Sequence, residues 1–168
     1  MIQPAIIDIE ASGFGRGSYP IEIGYYLPDG RAYCTLIQPE PDWVHWDVAA
    51  ESVHGISRDL LFAKGWPAVD VCRDLNRQLY GQFIYCDAWA YDYTWLNCLF
   101  EAADMVPAFH LKDLRELLSE CEQTLWHATR AAVEVRLQLR RHRASGDART
   151  LFETLIEARK RCAADWAG

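Results

Sequence analysis

Asp8 and Glu10 stand two residues apart in "IIDIE", a run whose isoleucines 6, 7 and 9 otherwise read as a packed strand. On a strand that offset turns both carboxylates to one face. Adjacent carboxylates repel, and burying them without compensation is costly. A divalent cation such as Mg2+ or Mn2+ answers both difficulties, because hard carboxylate oxygens suit these ions and the ion's charge reverses the repulsion. Taken alone, the pair equally fits a solvent-facing register on an edge strand. Directly after it comes "ASGFG", small residues past which another molecule can approach the backbone.

A metal site of this kind needs acids from elsewhere in the chain. Asp92 lies in "AWAYDYTW", one carboxylate among aromatics, where a plain helix N-terminal acid is the alternative. Asp147, in "HRASGDART", has the same alternative. His142 precedes it by an offset that one continuous helix would place on another face, and a break at Ser145–Gly146 would let the imidazole turn towards Asp147.

The elements that must carry these residues follow from local pattern. "PAIIDIE" reads as a first strand. "YPIEIGYYLPDGRAYCTLIQP" reads as a hairpin turning at "PDG". Residues 46–80 read as helices broken at "HGIS" and "KGWP", with Ser57 as a cap and Pro67 in a first turn. "QFIYC" is a short strand, "YDYTWLNCLFEAA" a helix, and "FHLKDLRELL" a strand or a helix start. The last third is helical, with apolar stripes at Ala128, Ala132, Val135 and Leu139 and at Leu151, Leu155, Ala158 and Cys162. A strand, a hairpin, helices, a strand and more helices make an α/β layered domain with a mixed sheet.

With 168 residues the chain has the size of one domain, and no repeat or linker divides it. No run is long enough to span a membrane, and "MIQPAIIDIE" lacks the features of a signal peptide. The six cysteines form no CxxC pair, and a chain of this size does not need disulfide staples, so reduced cytoplasmic thiols are expected. The net charge of −7 divides unevenly: residues 127–161 carry +5 and the remainder −12. The chain is thus an acidic body with a basic C-terminal segment, which fits either solvated helix faces or a phosphate-binding patch.

Together, Asp8-Ile9-Glu10-Ala11-Ser12-Gly13-Phe14, Tyr91-Asp92 and His142-x4-Asp147 resemble the three motifs of the DEDDh (DnaQ-like) 3′–5′ exonucleases, and "VHGIS" resembles the His-Gly-Ile-Thr segment of many members. The chain departs from the family pattern at Ala11, where Thr is common, and at Asp87 and Ala88, where His-Asn is usual. The resemblance spans about residues 5–155. It implies an RNase H-like fold, a mixed five-stranded sheet flanked by helices, forming one exonuclease domain over residues 1–168. It also implies two Mg2+ (or Mn2+) ions held by Asp8, Glu10, Asp92 and Asp147, with His142 as general base, releasing nucleoside 5′-monophosphates from the 3′ end of single-stranded DNA or RNA. Ala11, Ser12, Gly13, Phe14, His54 and Tyr91 would contact substrate, Phe14 as a base-stacking platform ahead of Trp89, Tyr91 and Trp95. Arg136, Arg140 and Arg143, which share helical spacing although the last falls near the helix end, would hold phosphates. Some relatives pair as homodimers. A nucleic-acid adaptor of the same fold, a polymerase's proofreading subunit and a plain metal-binding domain are the rival readings. All five catalytic residue types are present, and no docking tail follows Gly168, so a stand-alone nuclease is expected.

Overall fold

Strand β1 (Ala5–Ala11) runs through the middle of a mixed five-stranded sheet. The computed structural model describes residues 3–165. On one side β1 pairs antiparallel with β2 (Pro20–Tyr26), which pairs with β3 (Ala32–Leu36) in the expected hairpin. On the other it pairs in parallel with β4 (Phe83–Cys86), which pairs in parallel with β5 (His110–Asp113). Parallel neighbours need long crossovers. These are supplied by α1 (Val48–His54), α2 (Arg58–Lys64) and α3 (Ala68–Leu79) before β4, and by α4 (Trp89–Ala102) before β5. Helices α5 (Glu120–Leu137) and α6 (Ala144–Asp165) follow. The fold is α/β and RNase H-like.

The alternation of β1 divides the interior in two. Ala5, Ile7, Ile9 and Ala11 point into the larger core, which includes Leu75, Leu79, Trp95 and Leu99. Ile6 points the other way, onto Ala148, Leu151, Phe152 and Leu155 of α6. Leu151 and Leu155 are fully buried, and each such side chain contributes about 2 kcal/mol. By strand alternation Asp8 and Glu10 follow Ile6 on the α6 side, beyond the end of this smaller core.

The helices before β4 break where "HGIS" and "KGWP" stand, and the Ser57 hydroxyl accepts from the Leu60 N–H at 3.2 Å. Pro67 sits one step earlier than expected, as the cap residue of α3. "FHLKDLRELL" is both alternatives in turn, β5 and then a 3-10 turn over Leu114–Leu117.

Three expectations need correction. The α5 stripe lies on the wrong face: Val135 is 74% exposed, while Glu122, Thr129 and Val133 are the buried positions. Alanines carry too little apolar area to orient a helix, so the β-branched pair turns inward instead. Leu139 lies past the helix end, because Gln138 takes a left-handed conformation. The break near Ser145–Gly146 falls earlier, over residues 138–143, and both residues belong to the first turn of α6. Finally, Cys121 and Cys162 form a disulfide across α5 and α6, whereas Cys34, Cys72, Cys86 and Cys98 are free. The expectation of uniformly reduced thiols fails because helix packing brings together two cysteines distant in sequence. Among the described residues no helix is long and apolar enough to cross a membrane.

Candidate active site

The parallel strands β1 and β4 end side by side, and a cleft of about 470 Å³ opens beyond their carboxyl ends. Asp8 and Glu10 reach it from β1. Asp92 reaches it from the first turn of α4, and Asp147 from the first turn of α6. His142 enters from the loop before α6.

Two glycines permit this convergence. A Cβ on Gly24, the cross-strand partner of Asp8, would overlap the Ser145 nitrogen and lie 2.8 Å from the Ala144 carbonyl carbon, so the start of α6 rests directly on β2. Gly13 has φ +148°, and a Cβ there would lie 2.6 Å from Asp47 Cβ. The Asp47 N–H donates to Ser12 O at 2.8 Å, which holds the loop after β1 against the start of α1.

The carboxylates face one another. A carboxylate oxygen from each of Glu10 and Asp147 and a ring nitrogen of His142 lie within 4.8 Å of one another. Burial and the charges of Asp92, Glu10 and Asp147 hold the Asp8 carboxyl well above the ordinary aspartate range. Burial, and then Asp147, push Glu10 up to about 7. Burial pushes Asp92 up to about 7 against a hydrogen bond with the Cys86 thiol. Asp147 is also raised, chiefly by burial, against the His142 backbone N–H that donates to its Oδ2 at 2.9 Å. Asp92 is 1% exposed, and its Oδ2 is buried without a hydrogen-bond partner. Several mutually repelling carboxylates, one with an orphaned oxygen, are a donor set that a hard divalent cation fits.

Around these acids stand the other residues singled out from the sequence. Phe14, 67% exposed, meets the Tyr91 ring edge-on at 5.4 Å and the Trp95 ring at 6.0 Å, and all three line the cleft. Trp95 is otherwise a core residue, its indole N–H donating to Ser18 Oγ at 3.0 Å. Trp89 stacks on Tyr93 outside the cleft. Ala11 and Gly13 line the wall. Ser12 is buried away from it, its hydroxyl accepting from the Tyr19 N–H and meeting His45 Nδ1. His54 also lines the cleft. Its Nδ1 accepts from the Ile56 N–H at 3.0 Å, which leaves Nε2 to carry the proton of the neutral ring, buried and unpartnered. Burial lowers its pKa and so favours that neutral form.

Two of the expected phosphate-holding arginines are otherwise engaged. Arg136 pairs with Glu153 at 3.1 Å, and Arg143 pairs with Glu22 at 2.6 Å. Arg140 lies over Gly55. Helix α5 stops before the last two, so the spacing that grouped them does not apply. Arg130 and Arg141 line the cleft in their place, Arg130 pairing with Asp87 at 2.9 Å and with Glu134 at 3.2 Å. Sequence reading also passed over Asp47, Ala49, Ala50 and Val53, which form the α1 wall. Their one signal was Asp47, an N-cap ahead of a helix that ends at "HGIS".

No protein-family model and no curated protein matches the chain. Solved structures do share its fold. Escherichia coli exonuclease I in complex with a dA16 oligonucleotide superposes with a TM-score of 0.67 at 14% identity over 98% of this chain. The zinc-bound form of its complex with single-stranded DNA gives 0.65 at 14% identity over 98%. A moderately thermophilic exonuclease I from Methylocaldum szegediense gives 0.66 at 15% identity over 94%. This chain spans only 43%, 43% and 40% of those chains, respectively. The likeness is one of fold.

Proposed function

We propose that this protein is a metal-dependent 3′–5′ exonuclease that hydrolyses single-stranded nucleic acid to nucleoside 5′-monophosphates, acting as one exonuclease domain. The observation that carries the reading is the meeting of Asp8, Glu10, Asp92, Asp147 and His142 in one cleft from four separate segments. The fold shared with exonuclease I, solved with single-stranded DNA, supports the same class of polymer.

In this reading Asp8, Glu10 and Asp147 would hold one Mg2+ or Mn2+, and Asp8 with Asp92 would hold a second. Such ions, when bound, would supply activation of the attacking water and stabilisation of the departing 3′ oxygen. His142 accepts the water's proton at a ring nitrogen, a role suited to imidazole near neutral pH. Phe14 and Tyr91 stack against the terminal base, and the His54 Nε2–H donates to the terminal nucleotide. Arg141 and Arg130 face the phosphates, Arg130 by exchanging its contact with Asp87.

The test is trimming of 5′-labelled single strands, DNA and RNA in parallel, with a 3′-phosphate control. The wild type shortens them stepwise from the 3′ end with Mg2+ or Mn2+, and Asp8→Ala, still folded, does not. Equal trimming by both proteins overturns the assignment.

A further inference from the structure

Glu22 is a buried acid outside the catalytic set. It sits within the apolar run "YPIEIGYY" on β2, cross-strand from Glu10, and is fully buried. An isolated buried carboxylate is strongly unfavourable, so its partners matter. Its Oε1 accepts from Arg143 Nη2 at 2.6 Å and from Nε at 2.9 Å. Its Oε2 accepts from Arg143 Nε at 3.1 Å and from the Ala144 N–H, the first of α6, at 2.8 Å. The planar guanidinium fork and the helix N-terminus thus saturate the acid from one side.

What this arrangement fixes is the residue before Arg143. His142 has φ +56°, a left-handed conformation that is unfavourable for a non-glycine residue and persists only where its surroundings over-determine it. The surroundings do so at two points. On the C-terminal flank, Arg143 is pinned to Glu22. Within the loop, the His142 N–H is held by Asp147 Oδ2. Gly24, next on the same face of β2, leaves room for Ser145 directly above. We propose that Glu22, through Arg143 and the Ala144 N–H, is the positioning residue that sets the backbone of His142 and so aims its ring at Glu10 and Asp147. This role rests on the exonuclease reading above. Glu22 itself does not line the cleft.

Arg143→Lys tests the proposal with the charge retained and the fork removed, since lysine cannot bind a carboxylate in bidentate fashion. Glu22→Gln tests it from the other side, and Arg73→Lys, which alters the surface pair with Asp70, is the control. Two readouts are needed. In trimming assays Arg143→Lys and Glu22→Gln should lower kcat about 10–100-fold with KM changed less than about 3-fold, the size of effect known for residues that orient a ligating or catalytic group. In metal-free, substrate-free NMR the His142 and Asp147 amides of Arg143→Lys should shift and lose protection from exchange while the amides of β1 and β4 stay in place. Arg73→Lys should match the wild type in both. Unchanged kcat, or unchanged His142 and Asp147 amides, overturns the proposal. So does a kcat loss accompanied by amide shifts throughout the sheet, which would mark general destabilisation. Should the wild type itself trim nothing, the exonuclease reading falls, and the NMR arm alone decides whether Glu22 sets the His142 backbone.

Discussion

At the scale of single residues, the site is defined by charges that oppose one another. Glu10 and Asp92 are held near 7, and Asp8 and Asp147 are raised as well. A carboxyl whose folded pKa exceeds its unfolded value binds protons more tightly in the native state, so its stabilisation is complete below the unfolded pKa and is lost as pH rises through the folded one. The metal-free protein should therefore melt at a lower temperature at pH 8 than at pH 5.5, by about 5 °C or more, as read by calorimetry. Asp8→Asn should raise the metal-free midpoint at pH 8 while reducing trimming about 1,000-fold or more. A midpoint that falls in that variant would show that Asp8 is already compensated without metal. Arg141 is exposed at the cleft rim, so Arg141→Ala should weaken binding of a single strand and reduce the logarithmic salt slope of affinity by about 1. The acids were legible only as an ordered set that resembles a known motif pattern, since each alone fitted an edge strand, a helix start or a surface loop. The arginines were not, because their grouping assumed a helix that Gln138 ends.

At the scale of elements, placing α6 against β2 brings residues distant in sequence into one site. Gly24→Ala would drive a methyl into the Ser145 backbone, and overpacking of this kind costs about 1–3 kcal/mol. The expected result is a lowered thermal midpoint together with a larger fractional loss of kcat than of stability, because the displaced helix start carries Asp147. Normal kcat in a folded Gly24→Ala protein would show that the close approach is dispensable. The succession of elements, the hairpin and the helix breaks at "HGIS" and "KGWP" were readable because turn residues and alternation act locally; the strand order was not, being set by pairings distant in sequence. The face of α5 was not readable. Its alanines offer a stripe with little apolar area, and the orientation is set by what α5 meets in space, including Asp87 across from Arg130. Glu22 offered a signal of its own, an acid in an apolar strand, but its partner lies more than a hundred residues further along the chain.

At the scale of the whole molecule, the disulfide between Cys121 and Cys162 ties the start of α5 to the far part of α6 and encloses a loop of 41 residues. Chain-entropy reasoning assigns closure of such a loop about 4 kcal/mol, so Cys162→Ser, or a reductant, should lower the melting temperature by roughly 10 °C. No change in that midpoint would mean that the bond adds nothing to the fold. The two-sided interior has a further outcome. Helix α6, which carries Asp147, rests on the smaller cluster, around Ile6, Leu151 and Leu155, whereas β1, α3 and α4 share the larger one. Gentle warming should therefore loosen the C-terminal helices as a unit first, abolishing the proposed trimming over a range of temperatures in which circular dichroism still shows an intact sheet.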